Sequence, residues 1–396
     1  MRPAPPVLEH LWRSPLRSTW LTTLLGAILL PGALVVAITG FLSHAAYQPD
    51  LGANALVPRG WDVQPFVVGW PTSPSWLYAA TQGLHVTVGI VTVPLLLAKL
   101  WSVIPRLFAW PPVRGPAHAL ERLGIALLVG SAVFEFATGI TNAQLYYPWK
   151  FDFVAAHYYG GLVFIGALLL HVALKAPAMR RARATRRTLL GDTLHATHPA
   201  PPTLSRRGLF ALVGTGAGAL AVTTAGQSIG GPLRELALFA PRGTGVSFPV
   251  NKTARVARVS ADMVGPDWRL ELGGVRDVSL SLAELHGMTQ RSYDLPIACV
   301  EGWSTTQRWT GVRLADLAAV AGVPEARELS VRSLQPAGRF RRVTLGAPQI
   351  HDPRALLALG VNGAELALDH GYPARIIVPA LPGVHCTKWV AELRFA

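Results

Sequence analysis

The sequence predicts two architectures in one chain: an all-α transmembrane four-helix bundle with a fifth anchoring helix, followed by a mixed α+β domain. Three observations carry this prediction. Hydrophobic residues make up 51% and charged residues only 15% of the 396 positions, too apolar for an ordinary soluble enzyme. Five apolar runs each approach the ~20 residues needed to span a bilayer as a helix. After Pro241 the long runs stop, and short strand-like and helical patterns alternate to the end of the chain.

The runs lie near Trp20–Tyr47, Trp76–Val103, Leu120–Asn142, Phe153–Lys175 and Leu209–Ile229. Arg13 and Arg17 precede the first, Lys99 and Arg106 follow the second, and Lys175 and several arginines follow the fourth. Those ends are expected in the cytoplasm. Pro49–Ser75 and Tyr146–Asp152 are rich in Tyr, Trp and Pro and poor in Lys and Arg, so they are expected outside. The formal charge is +14, and Lys175–Arg207 alone holds eight Lys/Arg against one acid, Asp192. A basic block between two apolar runs obeys the positive-inside bias, so nucleic acid is not an expected partner. Two cysteines cannot form a disulfide framework.

The fifth run follows Ser205-Arg206-Arg207-Gly208-Leu209-Phe210, which resembles a twin-arginine export signal. Such signals carry folded, often cofactor-loaded, domains, so the translocation machinery is an expected partner. A chance Arg-Arg in an arginine-rich loop is the alternative. Gly214, Gly216 and Gly218 mimic part of a dinucleotide fingerprint. Without a preceding strand or a suitably spaced acid they read instead as sites of close helix contact.

The expected domains are a bundle at 1–178, a basic cytoplasmic loop at 179–208, the fifth helix at 209–230 and the α+β domain at 241–396. Within the last, Ala254–Val259, Leu329–Leu334, Arg341–Leu345, Arg375–Pro379 and Trp389–Phe395 read as strands. A helix is expected near Arg313–Ala321, ending at Gly322, and another from Asp352-Pro353.

His44, His85, His157 and His171 lie in or beside the bundle. Ionisable side chains within spans are costly and mark function, and imidazole is a usual axial ligand of haem. His157 and His171, two heptads apart, share one helix face about 21 Å apart. The pattern resembles the b-type cytochrome subunits of formate dehydrogenases and hydrogenases. That resemblance implies an outer haem b held by His85 and His157. A second haem at His171 stays open, and so does a bundle of hydrogen-bonded histidines without haem.

The stretch PIACVEGWSTTQRW, Pro296–Trp309, places Cys299 at the end of an apolar strand. With Arg308-Trp309-Thr310-Gly311, then Asp369-His370-Gly371-Tyr372-Pro373 and Arg375, then Lys388-Trp389, it resembles the sulfite oxidase family of molybdopterin enzymes. That family includes periplasmic methionine sulfoxide reductases, and the resemblance covers most of Phe248–Ala396. It implies a sulfite oxidase-like molybdopterin-binding fold with Cys299 as catalytic thiolate ligand of molybdenum. Asn251, Arg308, His370, Arg375 and Lys388 would contact the cofactor. Thiolate is a soft ligand suited to such a metal, and arginine and lysine suit a phosphate. Two other readings stay open: a Cys299–Cys386 disulfide, and a Cys–His protease using His370 or His385.

The domain is short for the family, and the arginines that bind sulfite cannot be placed by motif. The expected function is therefore a membrane-anchored molybdopterin oxidoreductase that reduces an S-oxide or N-oxide outside the cytoplasm. Its electrons would come from quinone or another membrane donor through the haem. The alternatives are a sulfite-type oxidase delivering electrons inward and a cofactor-free binding or sensor protein.

Overall fold

The structure is a computed structural model and describes residues 14–47, 69–108, 113–184, 200–240 and 248–396. Residues 185–199 of the expected basic loop and residues 49–68 of the Pro49–Ser75 segment lie outside the described residues. Among the described residues five helices are long and apolar enough to cross a membrane. They are α1 (Thr19–Tyr47), α2 (Leu77–Leu107), α3 (Pro116–Ala143), α4 (Phe153–Ala184) and α5 (Arg206–Ile229). Pro31, Pro94, Pro105 and Pro177 fall inside three of them, as membrane helices tolerate. Hydroxyls on these helices turn inward onto their own backbone: Thr138 Oγ1 donates to Phe134 O at 2.8 Å and Thr141 Oγ1 to Ala137 O at 2.7 Å. That hides the polar atoms while leucines such as Leu123, Leu169 and Leu212 stay exposed.

The chain forms two compact units that do not follow chain order. One is Met1–Ile38 with His85–Thr224, and the other is Thr39–Leu84 with Ala225–Ala396. The first has a core of Leu16, Leu21, Leu25, Ala98, Leu209 and Val213. Of the three glycines expected at a close helix contact, Gly216 is at one, where a Cβ would lie 3.6 Å from Pro94 of α2, while Gly214 and Gly218 have no neighbour within 4 Å. A tighter approach occurs in the second unit, where a Cβ on Gly83 would meet Ser228 at 2.5 Å.

The second unit contains two five-stranded sheets. The first has the order β2 (Val278–Ser281), β1 (Arg269–Gly273), β10 (Val390–Phe395), β5 (Glu328–Ser333), β6 (Arg342–Gly346). The β1–β10 pair is parallel and its other pairs are antiparallel. Alternate residues Leu270, Leu272, Leu329, Val331, Leu393 and Phe395 are buried, the period-two pattern of a sheet with one buried face. The second sheet runs β3 (Arg291–Ala298), β4 (Ser304–Arg313), β7 (Leu356–Val361), β8 (Ala364–Glu365), with β9 (Arg375–Ile377) also paired to β7. The helix Leu314–Val320 ends close to the expected stop, Gly322, which takes φ +79°.

Two expectations fail here. Ala254–Val259 is not a strand: Ala254–Ala257 is one helical turn, with Thr253 capping Val256 N and Asp369 accepting from Ala254 N at 2.7 Å. Side-chain capping outweighs the β-branched residues there. No helix starts at Asp352-Pro353; the helix Ala347–His351 ends there. The Asp352 carboxylate turns onto Arg354, accepting from its backbone N at 2.8 Å and from its guanidinium, so it does not cap a following helix.

Candidate functional site

Strand β3 delivers Cys299 to a tight turn. Cys299 N donates to Trp303 O at 2.9 Å, and Gly302 N donates to Cys299 O at 3.1 Å. Gly302 takes φ +91°, which glycine adopts without strain. The turn is clamped from elsewhere in the same unit. Gln82 Nε2 donates to Val300 O at 2.6 Å, and Ser43 Oγ donates to Gln82 Oε1 at 2.7 Å. Ser228 donates to Gly302 O and accepts from Ser304 Oγ.

The buried Cys299 thiol lines a cavity with Asn251, Lys252, Trp303, His370, Arg375 and Lys388. Asn251 Nδ2 lies 3.4 Å from Cys299 Sγ, within hydrogen-bond reach for sulfur. Burial and then the adjacent Glu301 carboxyl push the thiol well above its ordinary pKa. A metal changes this, because metal binding displaces the proton.

Opposite lies a cationic wall. Arg375 is 3% exposed. It donates to His370 O at 2.9 Å and to Cys386 O at 3.2 Å, and it stacks 5.0 Å over the Trp309 ring. Burial lowers its pKa to about 10. Lys388 Nζ donates to Lys252 O at 2.5 Å and to Asp369 O at 2.9 Å. Burial and then Arg375 lower it to about 7. His370 stacks on Phe248 at 3.9 Å, and burial followed by Arg375 and Lys388 lowers it to about 4, so it is neutral. Gly371 allows the crowding: a Cβ there would lie 3.1 Å from both Arg375 Cβ and Lys388 Cβ.

Three lining groups are buried without a hydrogen-bond partner among the described residues, Trp303 Nε1, Arg375 Nε and Thr387 Oγ1. Unsatisfied donors beside two desolvated cations are costly and fit an anionic, polar occupant. A thiol, neutral donors and cations on one cavity suit a metal-bearing cofactor with a phosphate. Asn251, Cys299, His370, Arg375 and Lys388 thus come together.

Arg308 does not join them. It sits on the exposed face of β4, across from Asp294 with an N–O distance of 3.8 Å. Strand alternation gives the inward place to Trp309, which is fully buried. Residues not anticipated from sequence are Lys252, Trp303, Gln335 and Thr387. Lys252 adjoins Asn251 and Trp303 falls within the Pro296–Trp309 stretch, so both had a signal; Gln335 and Thr387 had none. Cys299 and Cys386 are both free thiols, so they form no disulfide.

The Oxidoreductase molybdopterin binding domain model matches residues 256–396. An uncharacterized oxidoreductase, YuiH of Bacillus subtilis, is 30% identical over 152 residues, which cover 38% of this chain and 74% of that protein. The chain belongs to the molybdopterin-binding oxidoreductase family. Other relatives are mitochondrial sulfite oxidase of Rattus norvegicus, 31% identical over 30% of this chain and 27% of that protein. The protein-methionine-sulfoxide reductase catalytic subunit MsrP of Xanthomonas axonopodis pv. citri is 31% identical over 39% of this chain and 50% of its own length. The chain thus spans half or less of these last two relatives. The sulfane dehydrogenase SoxCD of Paracoccus pantotrophus is similar in structure with a TM-score of 0.30 at 24% identity, over 33% of this chain and 38% of that one. Membership explains the cavity: this family binds molybdopterin, and the residues present fit it.

In the helical unit His85 and His157 face each other, ring centroids 6.0 Å apart and planes at 84°. His85 Nδ1 lies 3.0 Å from Val36 O. A carbonyl only accepts, so Nδ1 carries the proton and Nε2 the lone pair. His157 Nδ1 lies 2.9 Å from Thr138 Oγ1. That hydroxyl already donates to Phe134 O, so it accepts here, and Nε2 of His157 also carries the lone pair. Two metal–nitrogen bonds of about 2 Å in line separate two imidazole centroids by roughly 6 Å. The two rings lie at about that separation. His171 lies elsewhere, with Lys99, Lys175 and Glu121 as its nearest charged neighbours.

Proposed function

We propose that this chain is a membrane-anchored molybdopterin oxidoreductase that reduces an S-oxide or N-oxide, fed with electrons through one membrane haem b. The single observation that carries the reading is the Cys299 thiol on one cavity with Asn251, Arg375, His370 and Lys388. The molybdenum cofactor, when bound, supplies oxygen-atom transfer, and the haem supplies one-electron steps. Cys299 would be the thiolate ligand. Arg375 and Lys388 would hold the phosphate, and neutral His370 would offer a hydrogen bond to the pterin without adding charge. Trp303 and Phe340, also on this cavity, narrow it and limit water. His85 and His157 would hold the haem iron.

The five apolar helices support membrane anchoring. The twin arginine at Arg206-Arg207 supports export of the catalytic unit to the extracytoplasmic side with its cofactor inserted. Quinol or another membrane reductant is the proposed donor. Reduction is preferred over sulfite oxidation because the cavity cations already have tasks at the phosphate.

The test is a visible spectrum of the anaerobically reduced, detergent-purified protein before and after methionine sulfoxide. A haem band that appears on reduction and fades with the sulfoxide is expected. A band that stays reduced with sulfoxides and N-oxides but appears on adding sulfite to the oxidised protein reverses the direction.

A further inference from the structure

We propose that Glu135 is a positioning residue for His157: together with Thr138 it holds the Nδ1–H of that imidazole and fixes the angle at which the ring meets His85. The inference rests on the haem reading above.

Glu135 lies within the apolar run of α3, where an acid is costly. Its side chain is 14% exposed, and Oε2 lies 3.2 Å from His157 Nδ1. Oε1 is buried without a hydrogen-bond partner among the described residues. Nothing else in the proposed activity uses this carboxyl. Thr138, one turn further along α3, accepts from the same nitrogen at 2.9 Å. Thr138 Oγ1 is the hydrogen-bonded partner and the Glu135 carboxyl lies beside it at 3.2 Å, so at spacing i and i+3 both oxygens face the same ring nitrogen.

Neighbouring glycines make room for the arrangement. A Cβ on Gly160, one turn beyond His157 on α4, would lie 2.3 Å from Glu135 Oε1 and 2.9 Å from Phe134. A Cβ on Gly139 would lie 3.3 Å from His157 Cε1. The carboxyl keeps its place only because residue 160 has no side chain. Outer partners of this kind orient a metal-bound imidazole and raise its basicity as a ligand. A more basic axial ligand favours the oxidised iron, so Glu135 lowers the haem potential.

The test uses the full chain in detergent. Planes at 84° predict a strongly anisotropic low-spin electron paramagnetic resonance signal from the oxidised haem. In Glu135→Gln combined with Thr138→Val, and separately in Gly160→Ala, the signal should move toward the rhombic form of less crossed rings. In Glu135→Gln the midpoint should rise by at least tenfold in redox equilibrium, which is 59 mV for one electron. Glu135→Asp should restore part of the shift. Molybdenum content of the same samples shows that the chain has folded. Unchanged signals and midpoints in Glu135→Gln and Gly160→Ala would overturn the inference and leave the haem reading standing. A folded, molybdenum-loaded wild type without haem would overturn both.

Discussion

Cys299 and Lys388 face one cavity and respond oppositely to an occupant. The thiol must lose a proton to bind metal, while the lysine gains charge beside a phosphate. Cys299→Ser should abolish turnover and remove the sulfur ligand seen by molybdenum X-ray absorption, with the haem spectrum intact. Undiminished turnover would remove Cys299 from the metal. Lys388 stands near 7 in the folded, cofactor-free chain, against 10.5 when unfolded. Between those values the unfolded state holds more protons, so stability rises with pH. Below about 7 both states are protonated and the cost of burying the charge is constant. Cofactor-free protein should therefore resist denaturant better at pH 9.5 than at pH 7, and Lys388→Met should flatten that difference. A slope that survives the substitution would assign it to another group.

The residues that meet on the cavity were legible because rare residue types sit in a recurring order: a thiol after a strand, then Arg375 and Lys388 beside glycine and tryptophan. Arg308 was misread because adjacency in sequence does not say which neighbour points inward; the pleat of β4 settles that in favour of Trp309. Glu135 was passed over because one acid barely perturbs the hydropathy of α3. The Asx turn at Asp352 was unreadable because Arg354 competes with the following backbone for the carboxylate.

At the level of elements, β4 carries the greatest constraint. Trp309 is fully buried, donates Nε1–H to Leu295 O at 3.2 Å and lies under Arg375. Trp309→Ala should cost about 3–5 kcal/mol, the usual cost of removing a large core aromatic. Molybdenum should be lost alongside, since the floor beneath Arg375 goes with the ring. Gly311 lies on the same strand, where a Cβ would fall 2.0 Å from Leu357 O of β7. Backbone cannot yield as a side-chain tip does, so Gly311→Ala should separate β4 from β7. Thermal denaturation checks both, and a melting temperature within a degree or two of wild type would contradict them. The apolar helices were the easiest elements to read, because length and hydropathy alone define them.

On the scale of the whole molecule, sequence order and compactness part company. The chain reads as bundle first and catalytic domain second, yet Thr39–Leu84 belongs to the same compact unit as the strands. No local pattern announces such a long-range association. Gln82→Ala should loosen the turn at Cys299 and lower molybdenum occupancy several-fold by metal analysis, with the band of the proposed His85–His157 haem retained. Unaltered occupancy would make that hydrogen bond dispensable.

The clamp on the cysteine turn also bears on maturation. Ser43, Gln82 and Ser228 come from three helices synthesised before β3, and they support a loop that follows it. A secreted fragment starting at residue 248 would keep every cofactor-contacting side chain and still lack the struts beneath its thiol. Such a fragment is a poor vehicle for producing the enzyme. Its molybdenum occupancy is expected to fall below that of the full chain, which metal analysis checks.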